Sequence, residues 1–255
     1  MIYSSQIQRE DIPELKVVVL TTRGQIAEDD AFIDELRAEF PSLTFVPAGT
    51  KEEEIREIAD ADVYCGWPSG DVVAAAQRLQ WVHCPGTGVD GLLGPELIDS
   101  DAVLTNSRGP HAPPMADHVL GMMLNLAHLW RELFEDQRLR RWEMEKYQDR
   151  LVELRGATLG ILSMGDIGTE VAKRAGGFDM AVYGVDKYPK QSPFATEVWG
   201  IDRLDHLLGM SDWVVVTTPL TRETRGLIDR RRIGLLKDGA YVIIISRGHI
   251  VDEDA

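Results

Sequence analysis

The feature that most constrains this chain is an alternation of short β-branched runs with longer amphipathic stretches, repeated in two series. Such alternation points to parallel sheets, because joining parallel strands takes a crossover of about a dozen residues, usually a helix. The first series predicts strands at residues 17–21, 44–47, 61–65, 81–84 and 103–105, with helices at 29–39 and 51–58. Gly, Pro, Asn or Asp bounds each run, and Phe32, Leu36 and Phe40 share one helix face. A single long helix is predicted over 115–142. Val119, Leu120, Met123, Leu124, Ala127 and Trp130 keep helical spacing there, and Pro113 and Pro114 stand before it. The second series predicts strands at 158–162, 181–185, 213–217 and 240–245, linked by helices at 167–175, 203–209 and 230–236. The expected fold is therefore α/β, with two parallel-sheet domains at residues 1–105 and 106–255.

Composition narrows the function classes. A net charge of -15 argues against nucleic acid as a partner, since a phosphate backbone would be repelled. Acidic residues in excess, with Arg favoured over Lys, suit a high-salt cytoplasm and equally an ordinary acidic enzyme. Runs such as Glu52-Glu53-Glu54 read as solvated helix faces. No apolar run reaches the roughly 18 residues of a membrane helix, so no membrane partner is expected. The N-terminal MIYSSQIQREDIPELK has neither a basic region nor an apolar core of the secretory kind. Cys65 and Cys84 lie in apolar strand runs with no CxxC or metal-type spacing. Reduced, structural thiols, no metal and a cytoplasmic location are the expectation.

The second series opens with Leu159-Gly160-Ile161-Leu162-Ser163-Met164-Gly165-Asp166-Ile167-Gly168, between a predicted strand and a predicted helix. This is similar to the G-x-G-x-x-G turn of dinucleotide-binding units. Gly165 would let the backbone approach a pyrophosphate, Gly168 would let helix and strand pack closely, and N–H groups near Asp166 and Ile167 would face the phosphate charge. Ser163 replaces the first glycine, and a left-handed backbone there would cost roughly 1–2 kcal/mol. A tight strand-to-helix turn with no ligand also fits the glycines. Asp186 stands eighteen residues after Gly168, at a strand end, placed to accept from a ribose 2′-OH and to repel a 2′-phosphate. NAD is thus favoured over NADP, with Lys187 and Lys190 nearby as softening charges. Methyltransferases share a Gly-rich turn followed by an acid, so this pair alone leaves the class open.

The segment from Gly239 through Ser246-Arg247-Gly248-His249-Ile250-Val251-Asp252-Glu253 narrows it: a buried strand, an Arg-Gly turn and a Val-Asp-Glu helix start. It resembles the signature of the D-isomer-specific 2-hydroxyacid dehydrogenases. Thr217-Thr218-Pro219-Leu220-Thr221-Arg222-Glu223-Thr224-Arg225-Gly226, Gly86-Thr87-Gly88-Val89-Asp90 and Leu104-Thr105-Asn106-Ser107-Arg108-Gly109 resemble the same family in order and spacing, over roughly residues 60–255. A methyltransferase would leave the Arg-Gly segment unexplained.

The resemblance implies a flavodoxin-like first domain that binds substrate and a Rossmann second domain that binds NAD. It implies hydride exchange between a D-2-hydroxy acid and a 2-oxo acid. Arg247 would clamp the substrate carboxylate, with backbone N–H groups of Thr87 and Gly88 as further donors. Thr218 and Pro219 would line the adenine side, Thr224 the neighbouring loop, and Ser246 the strand end beside the cofactor. Trp67 is a candidate wall of the substrate pocket and equally a packing residue. A homodimer packed through the 115–142 helix is also implied, and the apolar stripe of that helix fits intramolecular packing as well.

In that family a histidine and the carboxylate that orients it lie beyond the Arg-Gly segment, after the point corresponding to Ala255. The resemblance thus implies that the proton-transfer pair and the closing strands are missing here, leaving 241–245 as an apolar edge. His249, His111, His118 and His83 offer no convincing substitute. A fragment of a dehydrogenase is the first expectation, and an inactive NAD(H)-binding regulatory protein the alternative.

Overall fold

The computed structural model describes residues 14–21 and 30–255. The N-terminal segment read for a leader falls mostly on 1–13, and the expected start of the first helix at Asp29 also lies outside the described residues. The chain divides into two compact units, between Arg108 and Gly109.

The first unit runs β1 (Leu15–Leu20), α1 (Asp30–Glu39), β2 (Leu43–Ala48), α2 (Lys51–Ile58), β3 (Val63–Cys65), α3 (Gly70–Ala75), β4 (Trp81–Cys84), α4 (Pro95–Ile98) and β5 (Val103–Asn106). Its strands are parallel in the order β2-β1-β3-β4-β5, the flavodoxin-like winding. β1 buries Val18 on one face and Val17 and Val19 on the other, so both faces of the sheet are covered. α2 begins where the sequence places it because Thr50 and Glu53 form a reciprocal capping box.

The second unit runs α5 (Ala112–Ala127), α6 (Trp130–Arg138), β6 (Thr158–Leu162), α7 (Asp166–Gly176), β7 (Ala181–Asp186), β8 (Glu197–Gly200), α8 (Leu204–Met210), β9 (Trp213–Val216), α9 (Arg230–Ile233) and β10 (Tyr241–Ile244). Its parallel order is β10-β9-β6-β7-β8. From β6 the chain winds outward through β7 and β8, then returns to the other side of β6 with β9. That reversal creates a switch point between β6 and β9, where ligands of open α/β sheets bind. α5 lays Ala116, Val119, Leu120, Met123 and Ala127 into one core with Val171, Ala172 and Ala175 of α7.

Three expectations are corrected here. The 115–142 helix is two helices, broken at Leu129, whose φ of 54° is left-handed. The apolar rhythm runs through the break, so periodicity alone cannot reveal it. The helix expected over 230–236 ends at Ile233, with Gly234 as its cap. The Val-Asp-Glu helix start is a bridge between Val251 and Ile228 followed by a turn, closed by the Ala255 N–H donating to the Asp252 carbonyl at 3.2 Å. β8 has no counterpart in the sequence pattern, because only Val198 of its four residues is buried. No helix among the described residues is long and apolar enough to cross a membrane.

Candidate functional site

The carboxyl ends of β7, β6, β9 and β10 stand side by side, so the residues following each strand gather along one edge of the second sheet. After β6 comes the glycine turn. Ser163 has a φ of 80°, the left-handed conformation expected of a first glycine. Its N–H donates to the Val185 carbonyl at 2.8 Å, and its own carbonyl accepts from Thr217 Oγ1 at 2.7 Å. Thr217 Oγ1 also reaches the Leu162 carbonyl at 3.0 Å, which ties β9 to β6 across the switch point.

The two remaining glycines of the turn have different tasks. A Cβ on Gly168 would sit 2.2 Å from the Ser163 carbonyl oxygen and 3.1 Å from Ile161 Cγ2, so only glycine lets α7 pack this close to β6. A Cβ on Gly165 would meet nothing within 4 Å among the described residues. The space in front of Gly165 is open, at the start of an eleven-residue helix whose first-turn N–H groups lack intrahelical acceptors by construction. Asp166 and Ile167 are the first two residues of that helix.

Asp186 ends β7 beside this turn. Its Oδ2 accepts from Ser163 Oγ at 3.1 Å and from the Met164 N–H at 2.9 Å, and its Oδ1 accepts from the Tyr188 N–H at 2.9 Å. Met164 packs down onto Gly184, where a Cβ would lie 2.3 Å from its Cγ, so the turn is pressed against β7. Lys187, next to the acid, is paired with Glu223 at 2.6 Å. Of the two charges expected to soften the choice of cofactor, Lys187 and Lys190, that of Lys187 is therefore already compensated.

After β9, Thr218 is buried, and Thr224 folds the following loop back by donating to the Pro219 carbonyl at 2.7 Å and accepting the Thr221 N–H at 2.7 Å. After β10, Ser246 carries a buried hydroxyl with no hydrogen-bond partner among the described residues, a group that asks for a ligand. Arg247 is exposed and donates from Nη1 to the Ser246 carbonyl at 2.9 Å. His249, φ 65°, turns its carbonyl to the Gly226 N–H at 2.7 Å. His111 and His118 line a cavity of about 520 Å³ with Met115, Met122, Ile244 and Ile245.

An adenine dinucleotide fits what the second unit presents: an open phosphate cradle at Gly165, an acid at the end of β7, and an orphaned hydroxyl at the end of β10. Gly165, Asp166, Ile167, Gly168, Asp186, Thr218, Pro219, Thr224 and Ser246 all belong to this edge or its adjoining loop. The Ser163 hydroxyl and Thr217 also belong there, and neither was picked out from sequence. The only signal for Ser163 was a polar residue in a glycine's place.

In the first unit, the turn after β4 holds Thr87 and Gly88. Asn106 Nδ2 donates to the Thr87 carbonyl at 2.7 Å, and Thr87 Oγ1 donates to the Ser107 carbonyl at 3.1 Å. The Trp67 ring lies against this turn, 3.2 Å from where a Gly86 Cβ would be. His83 bridges two hydroxyls, Nδ1 to Thr105 Oγ1 at 2.9 Å and Nε2 to Ser107 Oγ at 3.3 Å. Cys65 and Cys84 are free thiols, and burial pushes the Cys65 thiol up to about 11, so it is inert.

The family model described as D-isomer specific 2-hydroxyacid dehydrogenase, NAD binding domain, matches residues 120–255. The chain is 31% identical over 212 residues to the D-3-phosphoglycerate dehydrogenase of Methanocaldococcus jannaschii, covering 81% of this chain and 40% of that protein. It is 30% identical over 209 residues to the hydroxypyruvate reductase of Thermotoga maritima, covering 80% of this chain and 67% of that protein. Among solved structures, a D-isomer specific 2-hydroxyacid dehydrogenase family protein from Aeromonas salmonicida superposes with a TM-score of 0.81 at 28% identity. That match covers 94% of this chain and 76% of the other. The chain thus spans about 40% of the phosphoglycerate dehydrogenase and about two thirds of the reductase.

Proposed function

Because this chain belongs to the D-isomer-specific 2-hydroxyacid dehydrogenase family, we propose that it serves NAD-dependent interconversion of a D-2-hydroxy acid and the matching 2-oxo acid. The observation that carries the reading is the convergence, on one sheet edge at the switch point, of the Ser163–Gly168 turn, Asp186 and the Ser246–Arg247 segment. When bound, the nicotinamide supplies or accepts the hydride.

The chain's own residues supply binding and orientation. First-turn N–H groups at Asp166 and Ile167 hold the pyrophosphate, helped by the α7 dipole. Asp186 accepts from the ribose 2′-OH, Thr218 and Pro219 line the adenine side, Thr224 sets their loop, and Ser246 completes the nicotinamide end. Arg247 holds the substrate carboxylate through two parallel charge-assisted bonds, each contributing about 1.5–3 kcal/mol. In the first unit, the N–H groups of Thr87 and Gly88, on a turn stiffened by Asn106, are that unit's own carboxylate donors. D-3-phosphoglycerate and hydroxypyruvate, for which the relatives are named, are both of this acid class. Residues up to about 105 form the substrate-binding domain and those after it the NAD-binding domain. A homodimer is supported by the exposed Trp130 and Phe134 of α6, and a cytoplasmic setting by two free thiols.

The test is a two-stage calorimetric titration, NADH first and then oxalate into the NADH-saturated protein. Saturable heats in both stages are expected. Absence of the NADH heat refutes the reading.

A further inference from the structure

We propose that Ser163 is a positioning residue for cofactor specificity: its hydroxyl locks the Asp186 carboxylate in the orientation that takes an unphosphorylated ribose and turns away a 2′-phosphate. This deepens the reading of the second unit as an NAD site and rests on it.

Three observations converge. First, Ser163 is held from every side. Its N–H bonds to Val185, its carbonyl accepts from Thr217 Oγ1 and is wedged against Gly168, and its hydroxyl reaches Asp186 Oδ2 at 3.1 Å. Second, it adopts a φ of 80° that a serine reaches only at a cost. A glycine would take this conformation freely, yet the residue here carries the one atom that bonds the acid. Third, Asp186 receives two more donors, the N–H groups of Met164 on Oδ2 and of Tyr188 on Oδ1.

An ionised carboxylate offers about four acceptor positions. With three of them filled by fixed donors, the acid cannot swing aside. The remaining acceptor position suits one ribose hydroxyl, and Ser163 Oγ can itself accept a second. A 2′-phosphate would meet a negative charge that can neither rotate away nor be offset by Lys187, which is paired with Glu223. In the absence of the serine hydroxyl, Asp186 keeps only backbone donors and gains freedom to turn outward.

The experiment measures dissociation constants for NADH and NADPH by fluorescence titration on the wild-type protein, Ser163→Ala, Ser163→Gly and Asp186→Ala, with thermal melts alongside. Wild type is expected to prefer NADH. Ser163→Ala and Ser163→Gly should each cut that preference about tenfold, mainly through tighter NADPH binding. Ser163→Gly should melt no lower than wild type, because it sheds the left-handed strain and so keeps the test valid if the alanine variant folds poorly. A preference unchanged in both serine variants but lost in Asp186→Ala overturns the role of Ser163 and leaves the cofactor site standing. No NADH binding by the wild-type protein overturns the cofactor reading, and this inference with it.

Discussion

Two single-methyl substitutions in one turn should have opposite signatures. Gly168→Ala places a Cβ 2.2 Å from the Ser163 carbonyl oxygen, and ordinary contact begins only at 3.4 Å, so a gap of 1.2 Å must open. The carbonyl cannot retreat while it accepts from Thr217 at 2.7 Å. α7 must therefore lift, loosening Val171, Ala172 and Ala175, which are fully buried. Overpacking of this kind costs about 1–3 kcal/mol. For a domain of this size that lowers the melting temperature by about 3–10 °C. Gly165→Ala differs at every step. Its φ of -74° suits alanine, and its Cβ meets nothing within 4 Å among the described residues. The melt should stay put or rise slightly, since alanine stiffens the unfolded chain. The new methyl would nevertheless occupy the cradle where the backbone should meet the pyrophosphate. NADH affinity should fall at least about tenfold, equivalent to 1.4 kcal/mol. Differential scanning calorimetry and NADH titration on both variants read the two effects separately. A Gly168→Ala protein as stable as wild type, or a Gly165→Ala protein that binds NADH normally, would refute the reasoning.

Further expectations concern the substrate clamp and acid stability. Arg247→Lys keeps the charge but loses the planar fork, so oxalate binding to the NADH complex should weaken by about 1.5–3 kcal/mol while NADH binding itself is unchanged. Asp205 accepts from Arg231 and Arg232, and those bonds draw its carboxyl from the ordinary 3.8 down to about 2. A depressed pKa stabilises the fold above about 3.8, and that contribution is lost as pH falls through about 2. Melting temperatures of wild type and Asp205→Asn should therefore differ by a constant amount above pH 4 and converge below it. A gap that persists at pH 2 would contradict the assignment.

Much of this architecture was legible because strong local signals agree with the tertiary fold. β4 and α2 fall where the pattern puts them, the helix because Thr50 and Glu53 cap it reciprocally. The break at Leu129 was hidden, since a left-handed leucine leaves no mark in an apolar rhythm that continues on both sides. β8 was hidden because an edge strand with one buried residue carries little alternation. At the site, glycine spacing located the turn, and the cost attached to Ser163 anticipated its backbone. The hydroxyl's bond to Asp186 spans 23 positions and depends on β6 and β7 being neighbours, which only the folded sheet supplies. The same holds for Thr217, whose partners lie 55 and 54 positions away.

The most direct test of the central claim is a crystal structure of the protein with NADH bound. The account predicts the pyrophosphate against Gly165 at the start of α7, the adenosine ribose on Asp186 beside Ser163, and the nicotinamide toward Ser246. A dinucleotide bound away from the β6–β9 switch point, or crystals that take up none at saturating NADH, would contradict it.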